Sequence, residues 1–130
     1  MSEANRPAIG TIGWQDLTVP PEVATKVRDF YAGVAGWRWR DVDMGGYSDY
    51  SMLPRDGEQD VAGVCHARGV NAGLPAQWLI YIIVEDLAAA AKRCEELGGK
   101  ILRPPRDRTC IIQDPAGAMC ALYQTPSASR

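Results

Sequence analysis

The chain contains one strand-to-helix pattern twice, and this repeat limits what it can fold into. The segment Trp14–Glu22, WQDLTVPPE, predicts a strand that runs into the start of a helix, and Trp78–Leu87, WLIYIIVEDL, predicts the same. Aligning Val19 with Val84 gives an offset of 65 residues, which is half of the 130-residue chain. A repeat of this length indicates a duplicated supersecondary unit.

The first copy continues with a helix and three strands. The helix is predicted to start near Pro21 and to end near Gly36. Apolar residues at steps of three and four positions predict a single apolar stripe on this helix, formed by Val23, Val27, Phe30, Tyr31 and Val34. Short strand-like segments separated by Gly-rich and Pro-rich turns follow.

The second copy has the same order, because Asp86 is suited to cap a helix over residues 87–97 and three more strands follow. The predicted fold class is therefore α+β. It consists of two tandem βαβββ modules, approximately residues 9–66 and 77–124, which form curved sheets around a concave cleft with the helices on the outer face.

Alternation along the strands predicts which side chains face the cleft. Leu17 and Val19 are predicted to lie under the first helix, and Ile80, Ile82 and Val84 under the second. The opposite faces are predicted to line a small-molecule site, because an aromatic cavity with a few polar groups is typical of such sites. The predicted ligand-binding residues are Trp14, Asp16, Tyr81, Met119 and Tyr123.

Size and charge exclude several classes of function. A 14.2 kDa chain fits one domain, residues 1–130, with short polar tails at 1–8 and 125–130. The formal charge of -2 gives no reason to expect a nucleic-acid partner. The longest apolar run is far shorter than the about 20 residues of a membrane span, and the first residues lack a signal-peptide pattern. We therefore expect a cytoplasmic protein with no membrane partner.

Three further features have a structural and a functional interpretation. The cysteines lack a CxxC spacing, so reduced core thiols are favoured over a disulfide or a metal cluster. His66, the single histidine, is predicted to lie at a rim or in a loop. The segment Arg103–Arg108, RPPRDR, is predicted to be a solvated loop, although its arginines could also clamp an anionic ligand.

Three segments together resemble the vicinal oxygen chelate superfamily, which includes glyoxalase I, extradiol dioxygenases, fosfomycin-modifying enzymes and bleomycin resistance proteins. They are DLTV with FYAGVAGW (Asp16–Val19 and Phe30–Trp37), YIIVEDL with LGGKIL (Tyr81–Leu87 and Leu97–Leu102), and DPAGAMCALYQ (Asp114–Gln124). The resemblance covers nearly the whole chain in the right order. It implies the duplicated fold described above and a homodimer.

The resemblance also implies where a divalent metal would be bound in members that use one. Those positions correspond to Trp14, Leu79, Ala121 and a place at or near Gly63. None of these side chains can ligate a metal, since such a site needs imidazole, thiolate or oxygen donors. We therefore expect no metal at the usual position and no cofactor.

The leading functional hypothesis is a glyoxalase/bleomycin-resistance-like protein that binds a small organic ligand without a metal. Asp16 is then either a ligand contact or a structural ion-pair partner. One alternative is a metal-dependent lyase, isomerase or dioxygenase that uses unusual donors such as Asp16 and His66. Another is a non-catalytic subunit or regulatory partner. The sequence assigns neither the ligand nor any catalytic residue.

Overall fold

A computed structural model describes residues 7–126, so most of both predicted tails lies outside the described residues. The helices are α1 (Ala24–Ala35) and α2 (Leu87–Glu96). The strands are β1 (Ile12–Val19), β2 (Arg38–Asp43), β3 (Ser48–Leu53), β4 (Ala62–His66), β5 (Trp78–Val84), β6 (Lys100–Arg106), β7 (Thr109–Gln113) and β8 (Met119–Gln124). We call β1, α1 and β2–β4 module 1, and β5, α2 and β6–β8 module 2.

The strand order is the same in both modules. In module 1, β1 pairs in parallel with β4, and β4, β3 and β2 follow as antiparallel neighbours. In module 2, β5 pairs in parallel with β8, and β8, β7 and β6 follow in the same way. The predicted duplication of a βαβββ unit is confirmed.

The core of module 1 confirms part of the predicted packing and corrects the rest. Leu17 and Val19 pack with α1 residues in one buried cluster, as alternation predicts. Phe30 and Val34, assigned to the buried stripe, are instead 57% and 69% exposed. The helix is turned so that Arg28 faces the sheet, where its guanidinium lies over the rings of Trp39 and Tyr50, the nearer at 4.1 Å from the Trp39 centroid.

The core of module 2 lies between α2 and its strands. Ile82 and Val84 pack there as predicted, but Ile80, predicted to join them, is 37% exposed. The helix begins where expected, because the Asp86 side chain accepts a hydrogen bond from the Ala89 N–H at 3.1 Å. No helix among residues 7–126 is long and apolar enough to span a membrane.

The compact units of the structure do not begin and end where the sequence repeats do. One unit comprises Gln15–Trp78, and the other contains the described residues before Gln15, 7–14, together with those after Trp78, 79–126. In this second unit the Gly10 N–H donates to the Ile83 carbonyl at 2.7 Å, and the Ile83 N–H donates to the Thr11 backbone carbonyl at 2.9 Å. Gly10 and Thr11 therefore belong to the same unit as most of the second repeat.

The segment Arg103–Arg108 is not the loop that its prolines predict. Strand β6 continues through both prolines to Arg106, and Asp107 and Arg108 form the turn into β7 with φ of 51° and 71°. Positive φ at both central residues is typical of the tight turns that match the twist of a hairpin. Proline has no backbone N–H to donate to a neighbouring strand. Both prolines are tolerated because β6 is the last strand of its module and pairs with β7 on one side only.

Candidate functional site

Asp16 lies beside Gly63 on the face of module 1 that points away from α1. The two residues are register partners in the β1–β4 pair, and a methyl group at Gly63 would overlap with Asp16 Oδ1. The row continues through Ser51 to Arg40. There Asp60 accepts hydrogen bonds from both side chains, with Arg40 Nη2 at 3.1 Å. Asp16 therefore fills the space beside Gly63 at one end of the row, and Asp60 binds Ser51 and Arg40 at the other.

Cys65 lies in the same region but is not suited to nucleophilic chemistry. Burial raises the pKa of its thiol far above the ordinary value, and the negative charges of Asp16 and Asp49 raise it further. The thiolate, not the thiol, is the nucleophile and the metal ligand. We infer that Cys65 is a protonated structural thiol, and all the cysteines, which lie within the described residues, are free.

His66 is buried, so the prediction of a rim or loop histidine is wrong. Its side chain is 9% exposed, and its Nδ1 lies 2.9 Å from Asp49 Oδ1. The backbone N–H of His66 donates to the same oxygen at 2.9 Å, and the ring packs edge-on against Tyr47. The sequence does not reveal this pair, because Asp49 lies 17 residues earlier on the neighbouring strand.

Tyr81 and Tyr123 lie on the face of module 2 that points away from α2. The residues that alternate with them, Ile82 and Leu122, pack in the core beneath that helix. Met119 shares the face with the tyrosines, since it is two and four residues from Ala121 and Tyr123 on β8. Tyr81, Met119 and Tyr123 are half-buried. The structure therefore brings together three of the predicted ligand-binding residues.

The centre of this face is sealed. Ala121 is the register partner of Tyr81, and Ile111 is the partner of Ala121 on the next strand. Both are fully buried, whereas the tyrosines around them are not. A ligand on this face would therefore contact the half-buried side chains rather than the centre. Trp14 is also half-buried, in β1, and the ligand-binding roles of Trp14 and Asp16 stay predictions.

The positions at which the resemblance places metal ligands do not fit a divalent ion. Gly63 pairs with Asp16 in module 1 as Ala121 pairs with Tyr81 in module 2. Gly63 and Ala121 are therefore equivalent positions of the two modules, as the sequence repeat predicts. Neither has a donor atom, and Leu79 is a buried hydrocarbon side chain. Over residues 7–126, no three His, Cys, Asp or Glu side chains are grouped in a way that could hold a metal.

The alternative donor pair of Asp16 and His66 does not fit either. The β1–β4 register pairs Asp16 with Gly63 and Val19 with His66. Because side chains alternate along a strand, positions separated by three residues point to opposite faces of the sheet. The two side chains thus start on opposite faces, and no group of three donor side chains that includes them is present among residues 7–126.

Sequence reasoning missed the importance of Gly63 and Asp49. An isolated glycine within a strand pattern is a signal of close approach, and it could have indicated that the Asp16 carboxylate needs the space at Gly63. The contact between Asp49 and His66 has no comparable local signal.

The chain is similar in sequence to one domain family and to several known proteins. Residues 17–122 match the sequence profile of the glyoxalase-like domain family. The anthracycline biosynthesis protein DnrV of Streptomyces peucetius is 31% identical over 133 residues, covering 90% of this chain and 48% of that protein. CFP32 of Mycobacterium tuberculosis, whose name suggests a glyoxylase, is 34% identical over 121 residues, covering 88% and 46%. The chain thus spans about half the length of these curated relatives.

Solved structures support the same fold. The 2,2',3-trihydroxybiphenyl 1,2-dioxygenase of Sphingomonas wittichii strain RW1 superposes with a TM-score of 0.55 at 16% identity, covering 92% of this chain and 42% of that one. At this identity the likeness concerns the fold alone.

Proposed function

Because the chain belongs to the glyoxalase-like domain family, we propose that it binds a small aromatic ligand with a polar edge, without a metal at the family's usual positions. The observation that carries this proposal is the face of module 2 with its half-buried Tyr81, Met119 and Tyr123. Aromatic rings and a thioether offer flat, adaptable apolar area, and phenol groups can hydrogen-bond to the edge of a ligand.

The relatives support the aromatic character of the ligand. DnrV is named for anthracycline biosynthesis, and anthracyclines contain fused aromatic rings. The absence of donor side chains at Leu79, Gly63 and Ala121 is the reason for preferring binding without a metal at those positions.

A neutral fused-ring probe tests the proposal. We expect 2-(hydroxymethyl)anthraquinone to bind the full chain in isothermal titration calorimetry, and Tyr81→Ala to weaken binding about tenfold through lost ring contact. Phe30→Ala removes an exposed aromatic ring from α1 and serves as the control, with binding unchanged. Absence of binding to the wild-type chain, or equal loss in both variants, would contradict the proposal.

We also propose that the protein is a cytoplasmic homodimer. Two copies would together match the length of relatives of which one copy spans about half. The expected result is a dimer mass in light scattering at micromolar concentration. A monomer under those conditions would count against it.

A further inference from the structure

Gln113 and Met119 lie side by side on the face of module 2 that points away from α2. They are register partners in the β7–β8 pair, so their side chains stand on the same face of the sheet, with backbones roughly 5 Å apart. Both side chains are half-buried. Because the two residues are direct neighbours, the fully buried centre of this face does not lie between them, and one ligand can contact both.

The side chain of Gln113 has a fixed direction. Its Nε2 donates a hydrogen bond at 3.1 Å to the backbone carbonyl of Gly117, in the turn between β7 and β8. Since a carbonyl oxygen can only accept, this bond identifies the NH₂ end of the amide and turns Oε1 away from Gly117. The turn is itself held by Asp114, whose Oδ1 accepts from the backbone N–H groups of Ala116 and Ala118 at 2.8 and 2.9 Å.

The Oε1 atom of Gln113 is an accessible acceptor. Among residues 7–126 no donor binds it, and no polar side-chain atom that is fully buried there lacks a hydrogen-bond partner. Oε1 therefore reaches the surface. Lys100, the register partner of Gln113 on β6, is exposed and makes no hydrogen bond to this oxygen. An amide oxygen is uncharged, so its readiness to accept does not depend on a missing counter-charge.

We infer that the face of module 2 selects aromatic ligands that carry a hydroxyl group, with the ring against Met119 and the hydroxyl donating to Gln113 Oε1. The inference rests on the proposed function and narrows its ligand class. A thioether makes favourable contacts with aromatic rings, and an acceptor that is already oriented loses little freedom when a ligand binds. Because Oε1 is hydrated before binding, the new hydrogen bond should change affinity by about fivefold rather than by orders of magnitude.

Two neutral probes that differ in one hydrogen-bond donor test the inference. The first is 2-(hydroxymethyl)anthraquinone, and the second is its methyl ether, 2-(methoxymethyl)anthraquinone, which cannot donate. In calorimetry the wild-type chain should bind the hydroxyl probe more tightly, and Gln113→Met should lower this preference about fivefold. Comparing the preference between two proteins cancels the contribution of the added methyl group.

Two further variants make the test specific. Gln113→Glu keeps an acceptor oxygen but cannot donate to the Gly117 carbonyl, so it should keep the preference. Thr109→Val, on the same strand and face, removes a hydroxyl that donates to the Arg106 carbonyl at 3.0 Å and should also keep it. Loss of the preference in both Gln113→Met and Gln113→Glu would assign the effect to the Gly117 bond and overturn the inference.

The remaining outcomes separate the inference from the proposed function. If the hydroxyl probe binds without preference, if Gln113→Met keeps the preference, or if Thr109→Val removes it, the inference is wrong and the proposed function survives. If neither probe binds the wild-type chain, the proposed function itself fails. Should Gln113→Met not fold, NMR of the wild-type chain decides: the side-chain amide signals of Gln113 should shift with the hydroxyl probe and not with the ether, and equal shifts would overturn the inference.

Discussion

Replacing Asp49 with Ala should lower the free energy of unfolding by about 3 kcal/mol. One oxygen of this buried carboxylate accepts hydrogen bonds from the His66 backbone N–H and lies 2.9 Å from His66 Nδ1. Its removal leaves a buried N–H group and a buried imidazole without their acceptor, and both then bear the cost of lost solvation. Urea denaturation followed by circular dichroism measures the change.

Two further variants make this prediction specific. Asp41→Ala removes an exposed carboxylate from a neighbouring strand and should change stability by no more than about 0.5 kcal/mol. Asp49→Asn keeps an oxygen acceptor for the backbone N–H and should lose less than Asp49→Ala. Equal, small effects of Asp49→Ala and Asp41→Ala would show that the Asp49–His66 contact does not stabilise the fold.

Replacing Gly63 with Ala should lower the free energy of unfolding by about 1–3 kcal/mol. The added methyl group would overlap with Asp16 Oδ1, and the carboxylate would have to leave its place on the sheet. The same overlap predicts a rescue. Combined with Asp16→Ala, the change at Gly63 should cost at least about 1 kcal/mol less than it does alone, because the conflicting group is gone. Thermal and urea unfolding of the two single variants and the double variant measure this coupling.

Gly33 supplies the control for the substitution at Gly63. It lies within α1 with no atom near the position of an added Cβ, so Gly33→Ala should raise stability by about 0.5–1 kcal/mol. Additive effects of Gly63→Ala and Asp16→Ala would contradict the assigned position of the Asp16 carboxylate.

Local patterns in the sequence were enough to predict the order of elements and the core face of each first strand. Alternation placed Leu17 and Val19 beneath α1, and the Asp86 signal placed the start of α2. These predictions succeed because they depend on residues close together in the chain. The stripe that included Phe30 was less accurate, since periodicity gives the apolar side of a helix but not how far the sheet covers it.

The candidate site was harder to predict, because its residues depend on the exact register of pairing between neighbouring strands. Arg103 was assigned to a loop, as its neighbouring prolines suggested, and its actual face is set by a one-residue bulge in the pairing with β7. The burial of His66 depends in the same way on Asp49 of the adjacent strand. No local composition signals either arrangement.

The division of β1 between the two compact units has a consequence for synthesis on the ribosome. Gly10 and Thr11 are synthesised before the unit Gln15–Trp78, yet the backbone groups that pair with them belong to Ile83, which is synthesised only after that whole unit. During that interval Gly10 and Thr11 lack these backbone partners, and their unit cannot complete its sheet until β5–β8 have been translated. Deletion of residues 10–14 would therefore damage the unit that contains β6–β8 rather than the unit Gln15–Trp78.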